Sequence, residues 1–324
     1  MPGDDAPSGP PSPLEPAAAD FLAALRPEEV PFAHLDWPGR ARRLLERIQS
    51  APSGRPGTLV QDTRFPVPGG SLAVRILRPP GAAGALPAVL YFHGGGWMLG
   101  GLATHGRLVS EIAAAARAAV VFVELSRTPE VRFPVPLEQA FAAARHLFGA
   151  AADLGIDPAR LALAGDGTGA TLATAVALLA RARGGPRFAL QALLYPALDT
   201  RFDTGSYRRY AQGPWLTRAA MRRFWEAYLP DAAAARNPLA APLRARRADL
   251  AAQPETLLLL AEHDVLRDEG EAYGRRLAEA GVRVTSLRCN GTIHDFAMLN
   301  ALADSAATRG AVAQLCLALR EALS

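Results

Sequence analysis

An α/β fold built on a mostly parallel sheet is predicted by three observations. From "PAVLYFHG" onward, short apolar runs ("VVFVEL", "LALAG", "LQALLYPAL", "TLLLLAEHD", "RVTSLRC") alternate with helical stretches ("HGRLVSEIAAAAR", "LEQAFAAARHLF", "TLATAVALLARAR", "EGEAYGRRLAEA"). Runs that are apolar throughout need cover on both faces, as parallel strands joined by helical crossovers have it. Hydrophobic residues make up 50% of the 324, enough for a substantial core. Finally, the turns rich in glycine, aspartate and histidine fall at the ends of the predicted strands, where doubly wound sheets bind ligands.

The elements follow in order. Residues 1–15 are acidic and Pro-rich, without the basic-then-apolar layout of a secretory signal, and read as a flexible tail. The stretch "DFLAALRPEEVPFAHLDWPGRARRLLERI" gives two helical patterns broken at Pro31 and Pro38, so 16–55 is expected to form N-terminal cap helices. "TLVQDTRFPV" and "SLAVRILRP" flank the turn "PGG" as antiparallel strands, and 56–324 is taken as the core. One segment interrupts the alternation: residues 199–243 are aromatic-rich and partly helical. An insertion over the sheet's ligand-binding edge is expected there, packing with the N-terminal helices as a cap over about 200–243.

Composition excludes several functions. The net charge is +4, yet the sequence has no lysine and its arginines are scattered, which argues against a nucleic-acid partner. The missing lysine also removes side-chain Schiff-base catalysis. Cys289 and Cys316 stand alone, so reduced cysteines, a cytoplasmic location and no metal site are expected. No apolar run is long and uninterrupted enough for a membrane span.

The chemistry sits at strand ends. "AVLYF" runs into His93-Gly94-Gly95-Gly96-Trp97, and three bare glycines offer backbone N–H groups to a developing oxyanion. "TLLLLAEH" ends in Asp264, and the next strand leads into "GTIHDF", which holds His294. An aspartate and a histidine at the ends of consecutive strands can pair, the carboxylate fixing the imidazole tautomer. Trp97, Tyr210, Trp215, Phe224, Trp225 and Phe296 are candidates to line a pocket for an acyl or polycyclic group, with about half of them expected to be core instead. His263 should point away from Asp264 by strand alternation.

With "YFHGGGWMLG", "SRTPEVRFPVPLEQA", "LLYPALDTRFDTGSY", "GPWLTRAAMRRFW", "EHDVLRDEGEAY" and "NGTIHDFAMLN", the sequence resembles the bacterial hormone-sensitive-lipase branch of the α/β-hydrolase fold, of the acetyl-hydrolase esterase type, from roughly residue 30 onward. The resemblance implies an α/β-hydrolase core with a mostly parallel sheet, helices on both faces and a helical cap. It also implies a carboxylic-ester hydrolase without a cofactor. It places oxyanion amides at Gly94 and Gly95, the acid of a triad at Asp264 and its base at His294. Asp166 matches a structural aspartate, and Glu130 a loop-tethering glutamate.

The nucleophile signature departs from that family. Where it carries G-D-S-x-G-G, this chain reads Gly165-Asp166-Gly167-Thr168-Gly169-Ala170, so Gly167 holds the serine position. Four explanations are open. A serine removed by engineering would leave an inactivated ester hydrolase. Thr168 could be a displaced nucleophile, although its N–H and not its hydroxyl should face the oxyanion site. "GDGTGA" also formally fits a dinucleotide fingerprint, but no acidic residue lies between Gly167 and Asp199 to hold a ribose. The favoured expectation is a change of reaction: His294, oriented by Asp264, moves protons next to a carbonyl while Gly94, Gly95 and Thr168 amides hold the enolate, as in elimination, cyclisation or conjugate addition. A non-catalytic binding protein is the remaining reading. The partner expected is a small-molecule carbonyl or ester, plausibly from secondary metabolism; a homodimer is allowed for, and no cofactor, nucleic acid or membrane.

Overall fold

The computed structural model describes residues 12–50 and 56–324. Eight strands form one sheet: β1 (Leu59–Val67), β2 (Gly70–Arg78), β3 (Leu86–Phe92), β4 (Ala119–Val123), β5 (Ile156–Asp166), β6 (Leu190–Leu194), β7 (Glu255–His263) and β8 (Val284–Ile293). Their spatial order is β1-β2-β4-β3-β5-β6-β7-β8. β1 and β2 pair antiparallel as a hairpin and β2 lies antiparallel to β4, while every pairing from β4 to β8 is parallel. β4 and β6 are buried along their whole length, as continuous apolar runs require.

The helices are α1 (Pro16–Ala24), α2 (Pro38–Ile48), α3 (Leu102–Ala116), α4 (Val135–Gly149), α5 (Thr168–Arg183), α6 (Gly205–Arg209), α7 (Arg218–Tyr228), α8 (Arg247–Leu250), α9 (Arg267–Glu279) and α10 (Ala306–Ala322). Prolines open α1 and α2, where a missing N–H costs nothing. Thr217 caps α7 by accepting from the Ala220 N–H. The periodicity did not single out α10, which packs beside α3. α5 opens on small residues, Thr168 to Thr171, and this lets its first turn sit very close to the sheet. A Cβ on Gly169 would lie 2.0 Å from the Phe92 carbonyl oxygen, and one on Gly165 would lie 2.6 Å from the Gly169 backbone.

The insertion between β6 and β7 carries α6 and α7. The N-terminal segment packs on it: Phe21 and Phe32 meet Trp215 edge-on at 5.3 and 4.9 Å, and Phe32 meets Phe224 at 6.0 Å. Residues 1–11 of the expected tail and 51–55 of the expected cap segment lie outside the described residues. Residues 12–15 are a correction to the tail. The Ser12 N–H donates to Glu262 and the Glu15 N–H to the Gly291 carbonyl, fastening this stretch to the ends of β7 and β8. Among the described residues no helix is long and apolar enough to cross a membrane.

Candidate active site

Gly167 stands at the turn between β5 and α5, with φ +51° and ψ −116°. Its N–H donates to the Leu194 carbonyl at 2.9 Å and its carbonyl accepts from the Ala197 N–H at 3.2 Å. The turn is therefore held from both sides in a conformation that strains any residue with a side chain. A Cβ built there would lie 3.5 Å from His294 Nε2, 3.7 Å from His294 Cε1 and 3.9 Å from Gly94 Cα, all ordinary contact distances. A side chain at this position would point straight at the imidazole.

His294 follows β8 and Asp264 follows β7, so parallel pairing brings them together: His294 Nδ1 lies 2.7 Å from Asp264 Oδ2. The other Asp264 oxygen accepts from the Leu266 N–H at 3.0 Å, which fixes the carboxylate. His294 is only 6% exposed. Burial alone would lower its pKa, but the facing carboxylates of Asp264 and Asp295 outweigh this and lift it to about 9. The Tyr195 ring meets the imidazole edge-on at 4.9 Å.

The glycine loop requires a correction. The Gly94 N–H, expected to face an oxyanion, donates instead to Asp166 Oδ1 at 3.1 Å. Asp166 is wholly buried and anchored by the Tyr91 hydroxyl at 2.7 Å and His105 Nε2 at 3.1 Å. Burial would raise its pKa, but His105 and Tyr91 hold it below the usual carboxylate range. Among the described residues, the amides of Gly95, Gly96 and Thr168 have no acceptor. Gly95 has φ +101°, and a Cβ there would meet the Leu99 backbone at 2.7 Å. At Gly96, φ is +68° and a Cβ would run into the Phe224 ring at 2.1 Å, so helix α7 of the insertion seats on this glycine. The Thr168 hydroxyl accepts from the Trp97 N–H at 3.1 Å, which ties it to the glycine loop. Burial pushes the Cys289 thiol up to about 11 and Cys316 up to about 12, so neither offers a thiolate near neutral pH.

The six aromatic candidates divide. Trp215 donates through Nε1 to Asp295 Oδ2 at 2.9 Å, Phe296 lies 5.6 Å from the Tyr195 ring, and Phe224 covers Gly96. Trp97 stacks flat on Tyr228 at 3.9 Å and meets Trp225 at 4.6 Å, so Trp97 and Trp225 join the glycine loop to α7 of the insertion. Tyr210 meets the His263 ring at 5.5 Å and the Arg267 guanidinium at 5.6 Å. Glu130 accepts two hydrogen bonds from Arg42 of α2, at 2.7 and 2.8 Å. Arg42 also donates to the Met98 and Thr128 carbonyls, tethering the N-terminal segment to the glycine loop. Tyr195 and Asp295 were not singled out from the sequence. Only their places, directly after a strand and directly after His294, could have drawn attention to them.

A strand–turn–helix elbow thus lies against a histidine–carboxylate pair and the glycine loop, on a mostly parallel sheet covered by helices. The family model for the α/β-hydrolase fold matches residues 89–298, and the chain belongs to that family. Esterase relatives and structural neighbours agree with its resemblance to the hormone-sensitive-lipase-like branch. The chain is 34% identical to the carboxylesterase NlhH of Mycobacterium tuberculosis over 289 residues, 88% of this chain and 91% of that one. It is 37% identical to an ethyl acetate hydrolase of Pseudomonas putida over 243 residues, 74% of this chain and 75% of the other. Among solved structures, a thermostable esterase from Pseudomonas putida superposes with a TM-score of 0.92 at 38% identity, over 98% of this chain and 99% of that one.

Proposed function

We propose that this chain is a carboxylic-ester site of the ester-hydrolase type, in which Gly167 removes acylation and leaves water as the attacking group. The observation that carries the reading is a chain whose relatives are esterases and whose Gly95, Gly96 and Thr168 amides, without acceptors among the described residues, lie in the glycine loop and turn beside His294. In this scheme the ester carbonyl oxygen rests on the Gly95, Gly96 and Thr168 amides. Neutral His294, oriented by Asp264, takes a proton from water as its oxygen bonds to the carbonyl carbon. The tetrahedral oxyanion is held by the amides, then collapses and expels the alkoxide, which takes the proton back from His294. Loss of a nucleophilic serine leaves only the catalysis of the oxyanion site and binding, a deficit on the order of 10⁶ in a serine hydrolase. The reaction is therefore slow.

Proton abstraction next to a carbonyl, with the enolate on the same amides, is the second reading. The bare turn favours it; the esterases among the relatives favour hydrolysis. The test follows p-nitrophenyl acetate with the chain and with His294→Ala at pH 9. The proposal predicts slow release of p-nitrophenol without a burst, abolished by His294→Ala. A stoichiometric burst, or release that His294→Ala leaves unchanged, overturns it. Deuterium uptake next to the carbonyl of an ester analogue in D₂O, without cleavage, would establish the second reading instead.

A further inference from the structure

Both ring nitrogens of His294 face a carboxylate. Asp264 takes Nδ1, and Asp295 Oδ1 lies 3.3 Å from Nε2, the nitrogen that points at the Gly167 turn. Asp295 is the next residue in the chain. It reaches back to its neighbour's ring only because its backbone is left-handed, with φ +66°. Its second oxygen accepts from Trp215 Nε1 at 2.9 Å. Trp215 belongs to the insertion, has φ +63°, and is wedged edge-on against Phe21 and Phe32 of the N-terminal segment. A continuous line of contacts thus runs from the N-terminal segment through Trp215 and Asp295 to the imidazole. Asp295 is 5% exposed, and a carboxylate buried this far needs charged or hydrogen-bonding partners on both oxygens.

We propose that Asp295 is a positioning residue that, held by the cap residue Trp215, clamps His294 at Nε2 and so governs when the imidazole is available as a base. This rests on His294 being the base of the proposed site. The charged and titratable groups facing the pair are few. Asp264 comes from the β7 end, Asp166 from the β5 end, and His105 from α3, with Tyr195 against the ring from the β6 end. Asp264 and Asp166 act on His294 along with Asp295, whereas burial raises the pKa of Asp295 against the opposing pull of His294, the Trp215 N–H and His105. Opening the Asp295–Trp215 bond would free Nε2 on the side where water or substrate must come.

The experiment titrates the His294 ring by NMR in the chain as it stands, in Asp295→Asn, in Asp295→Gly and in Trp215→Phe. Glycine suits the left-handed backbone at 295 and guards against a misfolded asparagine variant. Removing a carboxylate this near should lower the midpoint by about 1 unit or more in both Asp295 variants. Trp215→Phe, which releases the carboxylate without deleting it, should move the midpoint the same way by less. A midpoint unchanged in both Asp295 variants overturns the clamp. No ester enters this titration, so its failure and failure of the ester reading are distinguishable.

Discussion

Restoring a serine by Gly167→Ser should convert the turn into an acylating one. The backbone there sits at φ +51°, so the new Cβ brings strain of about 1–3 kcal/mol, read as lost stability in denaturant unfolding. Space is not the obstacle: the nearest atom to that Cβ is His294 Nε2 at 3.5 Å. The serine oxygen, one bond further along, comes within hydrogen-bonding reach of the imidazole. Flanking Gly165 and Gly169 already meet the tight packing of the turn, so no second change is required. The gain in p-nitrophenyl acetate turnover should be on the order of 10⁶, accompanied by a burst of one p-nitrophenol per chain. The assay is stopped-flow absorbance at pH 9, with unfolding measured on the same protein. A stable, folded Gly167→Ser chain that shows neither burst nor acceleration would refute the reasoning. The turn and imidazole would then not share a reactive space.

Two other outcomes follow from the same geometry. With a pKa near 9, about 1% of His294 is neutral at pH 7 and half at pH 9, so a base-dependent rate should climb about 50-fold over that interval. The sign is set by the raised pKa, since the active form is the deprotonated one. A pH–rate profile that levels off near pH 7 would contradict it. At the cap tether, Arg42→Ala breaks hydrogen bonds to two carbonyls and a carboxylate and should cost about 1.5–3 kcal/mol. Glu130→Gln loosens only an exposed ion pair and should cost less than about 1 kcal/mol. Equal losses in urea unfolding would show that the carbonyl contacts contribute nothing.

The sheet was legible because buried parallel strands leave continuous apolar runs, and the turn because glycines at 165, 167 and 169 break an apolar strand just before a helical stretch of small residues. The proximity of Asp264 and His294 followed from consecutive strands ending side by side. What escaped depends on contacts distant in sequence or on local backbone sign. Which glycine amide stays free is decided by Asp166, 72 residues from Gly94. Asp295 reaches the imidazole, and Tyr195 flanks it, through left-handed backbones that no residue pattern announces. Tyr210 shares the insertion with Trp215, yet the two face different partners, because a mostly irregular segment has no periodicity from which to read a face. Residues 12–15 look like tail in composition and are held by contacts distant in sequence, with Glu262 of β7, Gly291 of β8 and Ala307 of α10.

On the proposed reading cleavage is slow, which makes a crystal structure of the chain soaked briefly with a short-chain ester and frozen before turnover the most direct measurement. The carbonyl oxygen should lie within hydrogen-bonding distance of the Gly95, Gly96 and Thr168 amides, with the carbonyl carbon over Gly167 and open to His294. An ester bound elsewhere, or with its carbonyl turned away from those amides, would contradict the assignment of this turn as an ester-binding centre.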